Sequence, residues 1–168
     1  MIEGVAVRLE PIAHAVAETL LAGGEPAGIV FADGYPTQFS LEVMDLLAGP
    51  RAASGDLVGF TPSFVVRKED GVVVGEMGYS LSESTAQLGY SIVESCQGRG
   101  YATDALRALV AWLGGEPGVQ RIYAETLVEH AASRRVMEKA GMRLCDERLG
   151  DVDGVLRELV VYELPSAA

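Results

Sequence analysis

The sequence predicts an α+β (mixed α/β) fold: a single domain with one mostly antiparallel sheet flanked by helices. Three observations predict it. Between Ser63 and Leu81, two runs rich in apolar and β-branched residues flank Asp70-Gly71, a strong hairpin signal. Downstream, Ala102, Ala105, Leu106, Leu109, Val110 and Leu113 recur at i, i+3, i+4, i+7, i+8 and i+11, one face of a helix. Finally, Ala86–Leu127 reads as strand, helix, strand, which predicts a parallel pair joined by a right-handed crossover, whereas the hairpins make the remaining pairs antiparallel.

Val5–Glu10 alternates apolar and polar residues and predicts the first strand. Pro11 suits a helix start, and Ile12, Val16, Thr19 and Leu20 carry a partial stripe as far as Gly23-Gly24. Gly23–Gly55 is irregular, with one helix predicted over Leu41–Leu47 and Ser40 as its N-cap. Such a segment on a rigid scaffold suits substrate selection. After the hairpin comes a third strand, Ala86–Val93, and then the helix, which Gly114-Gly115 ends. Arg121–Leu127 predicts a strand and Ala131–Ala140 a helix with Gly141 at C′. Two closing strands, Arg143–Arg148 and Val155–Leu164, flank a turn at Gly150–Gly154.

Composition narrows the function. The 168 residues carry 13 Lys and Arg against 24 Asp and Glu, a formal charge of −11, which argues against nucleic acid as a partner. No apolar run approaches the ~20 residues that span a bilayer, so no membrane segment is expected. The acidic start lacks the basic region of a signal peptide, and Cys96 and Cys145 have no metal-ligand spacing. A cytoplasmic location, free thiols and no metal are the expectations.

Chemistry concentrates at Gln97-Gly98-Arg99-Gly100-Tyr101-Ala102, between a strand and the amphipathic helix. Glycines let the backbone approach a ligand closely, and the first N–H groups of a helix lack intrahelical partners. With the positive helix end they form an anion site suited to a pyrophosphate. The alternative is a tight strand-to-helix connection. A P-loop is excluded because no Gly-Lys-Ser/Thr follows, and a dinucleotide fingerprint fails because its third glycine would fall at Thr103.

Gln97–Ala102 matches the Q/R-x-x-G-x-G/A signature of the GNAT superfamily of N-acetyltransferases. The resemblance runs from about Val72 to Leu164, and GEMGYS (Gly75–Ser80), LGYSIVES (Leu88–Ser95), SRRVMEKAGM (Ser133–Met142) and VYEL (Val161–Leu164) resemble its RimJ/RimL-like branch. It implies a GNAT-like domain with one splayed parallel strand pair, acetyl-CoA as cofactor and transfer to a primary amine; because Cys96 has no nearby His-Asp pattern, direct attack in a ternary complex is expected over a covalent acetyl-enzyme. Residues 1–62 would form the acceptor side and 63–164 the acetyl-CoA-binding core. The resemblance assigns the pyrophosphate to the backbone N–H groups of Gly98, Arg99, Gly100, Tyr101 and Ala102, with Thr103 adding a hydroxyl and Gln97 a further cofactor contact. The pantetheine arm would pair with Ile92 and Val93, the Val93 N–H polarising the thioester carbonyl.

This chain departs from the family at three places. His130 stands for the usual asparagine, Met137 for the tyrosine general acid, and Gln87 for a glutamate on the strand before the loop. His130 is then expected to contact the arm. Ser133, one turn before Met137, is the candidate acid and a further cofactor contact. Glu76 is the candidate base, ahead of Glu94, because an amine must lose a proton before it attacks. His14 reads as structural, Trp112 as core, and Cys96 as no nucleophile. Expected partners are acetyl-CoA, an amine acceptor (a small molecule or a peptide N-terminus) and a second copy in a homodimer. A CoA-binding regulatory module without turnover is the alternative function.

Overall fold

The computed structural model describes residues 1–50 and 60–165. Residues 51–55 of the irregular segment therefore lie outside the described residues. The elements run β1 (Ile2–Glu3), β2 (Val7–Pro11), α1 (His14–Leu21), α2 (Gln38–Ala48), β3 (Phe60–Arg67), β4 (Val73–Ser82), β5 (Thr85–Ile92), a 3-10 turn (Glu94–Cys96), α3 (Tyr101–Gly114), β6 (Arg121–Leu127), α4 (Ala131–Lys139), β7 (Arg143–Val152) and β8 (Val155–Glu163). The strands form one sheet ordered β1-β2-β3-β4-β5-β6-β8-β7. Every pair of neighbouring strands is antiparallel except β5 and β6.

Strand alternation divides the core between the two faces. Val65, Val74, Met77, Ala86 and Leu88 pack under α3 and α4 against Leu106, Leu109, Leu113 and Met137. Phe64, Val66 and Val73 face the other way, beneath α1 and α2, against Ala17, Leu20, Val43 and Met44. The register shifts by one residue between Val65 and Val66 where they pair with β4, a bulge that re-aims the strand at this point. At the far edge, the β7–β8 hairpin turns at Asp153-Gly154, both at positive φ, as the tightest hairpin turns require.

Three local expectations are corrected. Pro11 does not open a helix; it pairs with Ser63 as the last residue of β2, and α1 begins at His14. Ser40 is not the N-cap of α2. Thr37 caps it, and Ser40 is the N3 partner of a reciprocal capping box, so the helix starts three residues earlier. Trp112 is 38% exposed rather than core, its ring lying at the helix margin beside Tyr79.

Two arrangements position the site. β5 pairs with β4 as far as Ile92, but with β6 only from Thr85↔Arg121 to Leu88↔Ala124. Beyond Leu88 the parallel strands diverge, and among the described residues no strand pairs with the edge of β5 that faces the fork. Meanwhile the 22–37 segment is stitched to β4, with Ala32 N–H donating to Val73 O and Val73 N–H to Val30 O. Phe31 and Tyr35 stack at 4.6 Å and meet Phe64 edge-on, and Ser40 of α2 reaches Glu76 of β4.

Candidate active site

A cleft of about 730 Å³ opens where the end of β5, the 97–103 loop and the face of α4 converge. At its floor, Gly98 (φ 74°) and Gly100 (φ 84°) adopt the left-handed conformation that side-chain-bearing residues avoid. Gly100 is the N-cap of α3 and supplies no side chain, so the cap position stays open to an external acceptor of hydrogen bonds. Asp104, in the first turn, would oppose an anion there. Its carboxylate is instead turned away and accepts from the N–H groups of Val5, Ala6 and Val7 at 2.9, 2.7 and 3.0 Å.

The opposite wall is cationic. Arg134, Arg135 and Lys139 line the cleft, with Glu138 as the one carboxylate among its lining residues. On a chain of formal charge −11 this is a local reversal of sign, and it suits phosphate groups. Arg134 is held by its bonds to the Val128 carbonyl and the Tyr162 hydroxyl. The SRR run of the sequence carried this signal, which the glycine motif overshadowed.

The sequence-predicted residues fall into place unequally. Ile92, Gln97, Gly98, Gly100, Tyr101, Ala102, Thr103, His130 and Ser133 all line the cleft. His130 is the N-cap residue of α4, its Nδ1 3.2 Å from the Thr126 hydroxyl. Arg99 is exposed outside the cleft and its guanidinium reaches the Ser95 carbonyl. Val93 is buried, and its N–H donates to the Val74 carbonyl at 3.0 Å. That donor is spent, so Val93 is not available to polarise a carbonyl. Main-chain groups alternate in direction along a strand, so those of Tyr90 and Ile92 point into the fork instead. The Ile92 carbonyl accepts from Gln97 Nε2 at 2.8 Å, which leaves its N–H as the donor at the fork.

Glu76 also differs from expectation. It is 2% exposed and does not line the cleft. The Ser40 hydroxyl lies 3.0 Å from each of its oxygens. Burial raises its pKa to about 7, against the smaller opposing influence of the Ser40 and Tyr35 hydroxyls. Among the described residues the buried Tyr35 hydroxyl has no well-aligned partner, and burial together with the Glu76 charge pushes its pKa up. A second carboxylate lies on the same face as Glu76: Glu125, with 23% of its side chain exposed, bonded by Gln87 Nε2 at 3.3 Å and paired with Arg148. It is the first residue of β6 beyond the last parallel pair, so it sits at the fork.

A family model described as an acetyltransferase (GNAT) domain matches residues 7–143. The chain belongs to the GNAT acetyltransferase family. Its GNAT fold recurs in solved structures of low identity. One is RimL, a ribosomal L7/L12 alpha-N-protein acetyltransferase in complex with coenzyme A (17% identity, TM-score 0.68, 95% of this chain and 93% of that one). Another is the microcin C7 self-immunity acetyltransferase MccE in complex with acetyl-CoA and AMP (16%, 0.67, 94% and 91%). A third is a chimera of the spermidine N-acetyltransferase SpeG from Vibrio cholerae and hSSAT (13%, 0.69, 95% and 95%). No curated protein matches this GNAT chain. As in the expected GNAT-like domain, the sheet is mostly antiparallel with one parallel pair. Among the described residues no helix is long and apolar enough to cross a membrane.

Proposed function

We propose that this protein is a cytoplasmic, acetyl-CoA-dependent N-acetyltransferase of the RimJ/RimL-like branch that acts on a primary amine by direct attack in a ternary complex. One observation carries the reading: a left-handed glycine loop, an unpaired strand edge and a cationic helix face meet around a single cleft. Those features fit, respectively, a pyrophosphate, an amide-bearing arm and further phosphate charge. When bound, acetyl-CoA supplies an activated acetyl thioester. The 98–103 backbone and Thr103 hold its pyrophosphate, Arg135 and Lys139 offset its charge, and the fork edge at Tyr90 and Ile92 takes the arm. The Ile92 N–H is the donor placed for the carbonyl oxygen.

The acceptor enters on the face of the fork opposite α3 and α4. There Glu125 is a partly exposed carboxylate, paired with Arg148, which would attract an ammonium and take its proton directly or through water once that pair opens. The base role expected of Glu76 would need a water path past Ser40. Ser133 donates to the leaving sulfur. As the C–N bond forms, the C–S bond would break with its electron pair on sulfur; the serine hydrogen would pass to that sulfur, and the proton lost by the attacking nitrogen would return through the base and water to restore the serine hydroxyl. Residues 1–62 form the acceptor side and 63–164 the cofactor core of one domain, which assembles as a homodimer.

The test is release of free CoA thiol across a panel of small amines and N-terminal peptides. Release that depends on an added amine supports the enzyme. Binding of CoA with no such release for any acceptor would instead favour a regulatory module. Glu125→Gln should cost kcat/KM for the acceptor, whereas Glu76→Gln should change it little.

A further inference from the structure

Ser133 is a weak choice for a directed donor. It lies in the first turn of α4, where a serine hydroxyl readily turns back to a backbone carbonyl. Met137, one turn later, is 1% exposed and has no hydrogen to give. What holds the hydroxyl toward the cleft comes from a residue 43 positions earlier. The Tyr90 hydroxyl lies 2.9 Å from Ser133 Oγ and donates to the Ser133 carbonyl at 3.1 Å. Both residues line the cleft.

Tyr90 is well anchored for this. It shares with Ala86, Leu88 and Ile92 the face under α3 and α4, and its ring packs against that core. The bond therefore crosses from the rigid sheet to the start of α4. Its two hydroxyls can share hydrogens in two ways. With Tyr90 donating to the carbonyl, the serine hydrogen rests on the tyrosine oxygen. With Tyr90 donating to Ser133 Oγ, the serine hydrogen is free to point at a neighbour in the cleft.

We propose that Tyr90 is a positioning residue for acetyl transfer, which fixes Ser133 Oγ toward the cleft and, by donating to it, turns the serine hydrogen onto the leaving sulfur. This rests on the reading of Ser133 as donor. Tyr90 gives up no proton in the step. Burial raises its pKa above the ordinary tyrosine value, against the lesser influence of the Ser133 bond, so it remains a neutral phenol throughout.

Steady-state kinetics of amine-dependent thiol release on Tyr90→Phe, Ser133→Ala and the double variant test it, with CoA-induced thermal stabilisation as the check on binding. Phenylalanine keeps the ring and deletes only the hydroxyl. Tyr90→Phe should lower kcat about five- to twentyfold with KM for acetyl-CoA changed less than about twofold, as when a contact specific to the transition state is lost. Ser133→Ala should lower kcat about ten- to a hundredfold, and the double variant should be no slower than Ser133→Ala alone. An unchanged kcat in Tyr90→Phe beside a reduced one in Ser133→Ala overturns the proposal and leaves the serine reading standing. Multiplicative losses in the double variant also overturn it, because Tyr90 would then act independently. An unchanged kcat in Ser133→Ala removes the serine reading first, and the role of Tyr90 with it.

Discussion

The Ser40 hydroxyl stands 3.0 Å from both oxygens of the Glu76 carboxylate while accepting the Thr37 N–H at 3.1 Å, so one side chain closes a helix cap and covers a buried acid. A consequence follows for stability. The pKa of Glu76 is about 7, above the ordinary 4.5, because burial penalises its charge. Between those values the folded chain keeps a proton that the unfolded chain has lost. This contribution is fully present below about pH 4.5 and lost as pH rises through about 7. At about 1.4 kcal/mol per unit, it is on the order of 3 kcal/mol. Thermal melts should show the wild type losing Tm relative to Glu76→Gln between pH 5 and 8. Parallel pH curves for the two proteins would contradict this.

Gly75 approaches β5 more closely than any side chain allows. A Cβ there would fall well inside contact distance of the Ser91 carbonyl, which is backbone and cannot rotate aside. Gly75→Ala should therefore push β4 and β5 apart beside the open end of the fork, at a cost of about 1–3 kcal/mol. Because Ser91 lines the cleft, CoA affinity should fall in the same variant. Calorimetric binding together with a thermal melt checks both, and an unaltered melt would rule out the clash.

Gly100 presents the opposite case, since nothing lies within 4 Å of an added Cβ but the φ of 84° remains. Gly100→Val should cost about 1–2 kcal/mol from the left-handed conformation alone and leave the fold intact. Its larger effect should be loss of acetyl-CoA-induced thermal stabilisation, because the added side chain meets the phosphates. Wild-type affinity in this variant would remove the pyrophosphate assignment.

The cationic wall makes a salt prediction. Affinity for CoA should fall as ionic strength rises, since exposed charges are screened over ~10 Å at 0.1 M. Arg135→Glu should weaken binding about tenfold at low salt, and the difference from wild type should narrow at high salt. A salt-independent ratio would mean that Arg135 acts through packing rather than charge.

Local pattern carried much of this architecture into the sequence. β6 occupies the predicted Arg121–Leu127, and α3 buries Ala105, Leu106, Leu109, Val110 and Leu113 of the predicted stripe. The glycine loop is a continuous motif and could be read without a partner. Contacts between distant segments could not. The cover over Glu76 arrives from a helix 36 residues away, and the Ser133 partner from a strand 43 residues away. The Val93 N–H is spent because of where β4 and β5 come into register past the bulge, and no window of sequence around Val93 reports that. Glu125 became visible only once the parallel register placed it two residues beyond Tyr123, the partner of Gln87.

The divergence of β5 from β6 has a consequence for how the molecule comes apart. Among the described residues, the ladder that joins the β1–β5 half of the sheet to the β6–β8 half has four residue pairs, Thr85–Leu88 with Arg121–Ala124. In the ligand-free protein these halves should open as separate cooperative units, with amide exchange at Tyr90 and Ile92 faster than at Ala86 and Leu88. A ligand arm bound along that edge adds a rung to the ladder and couples the two halves. Hydrogen exchange with saturating CoA should then slow across both blocks together, and the unfolding transition should sharpen as well as rise.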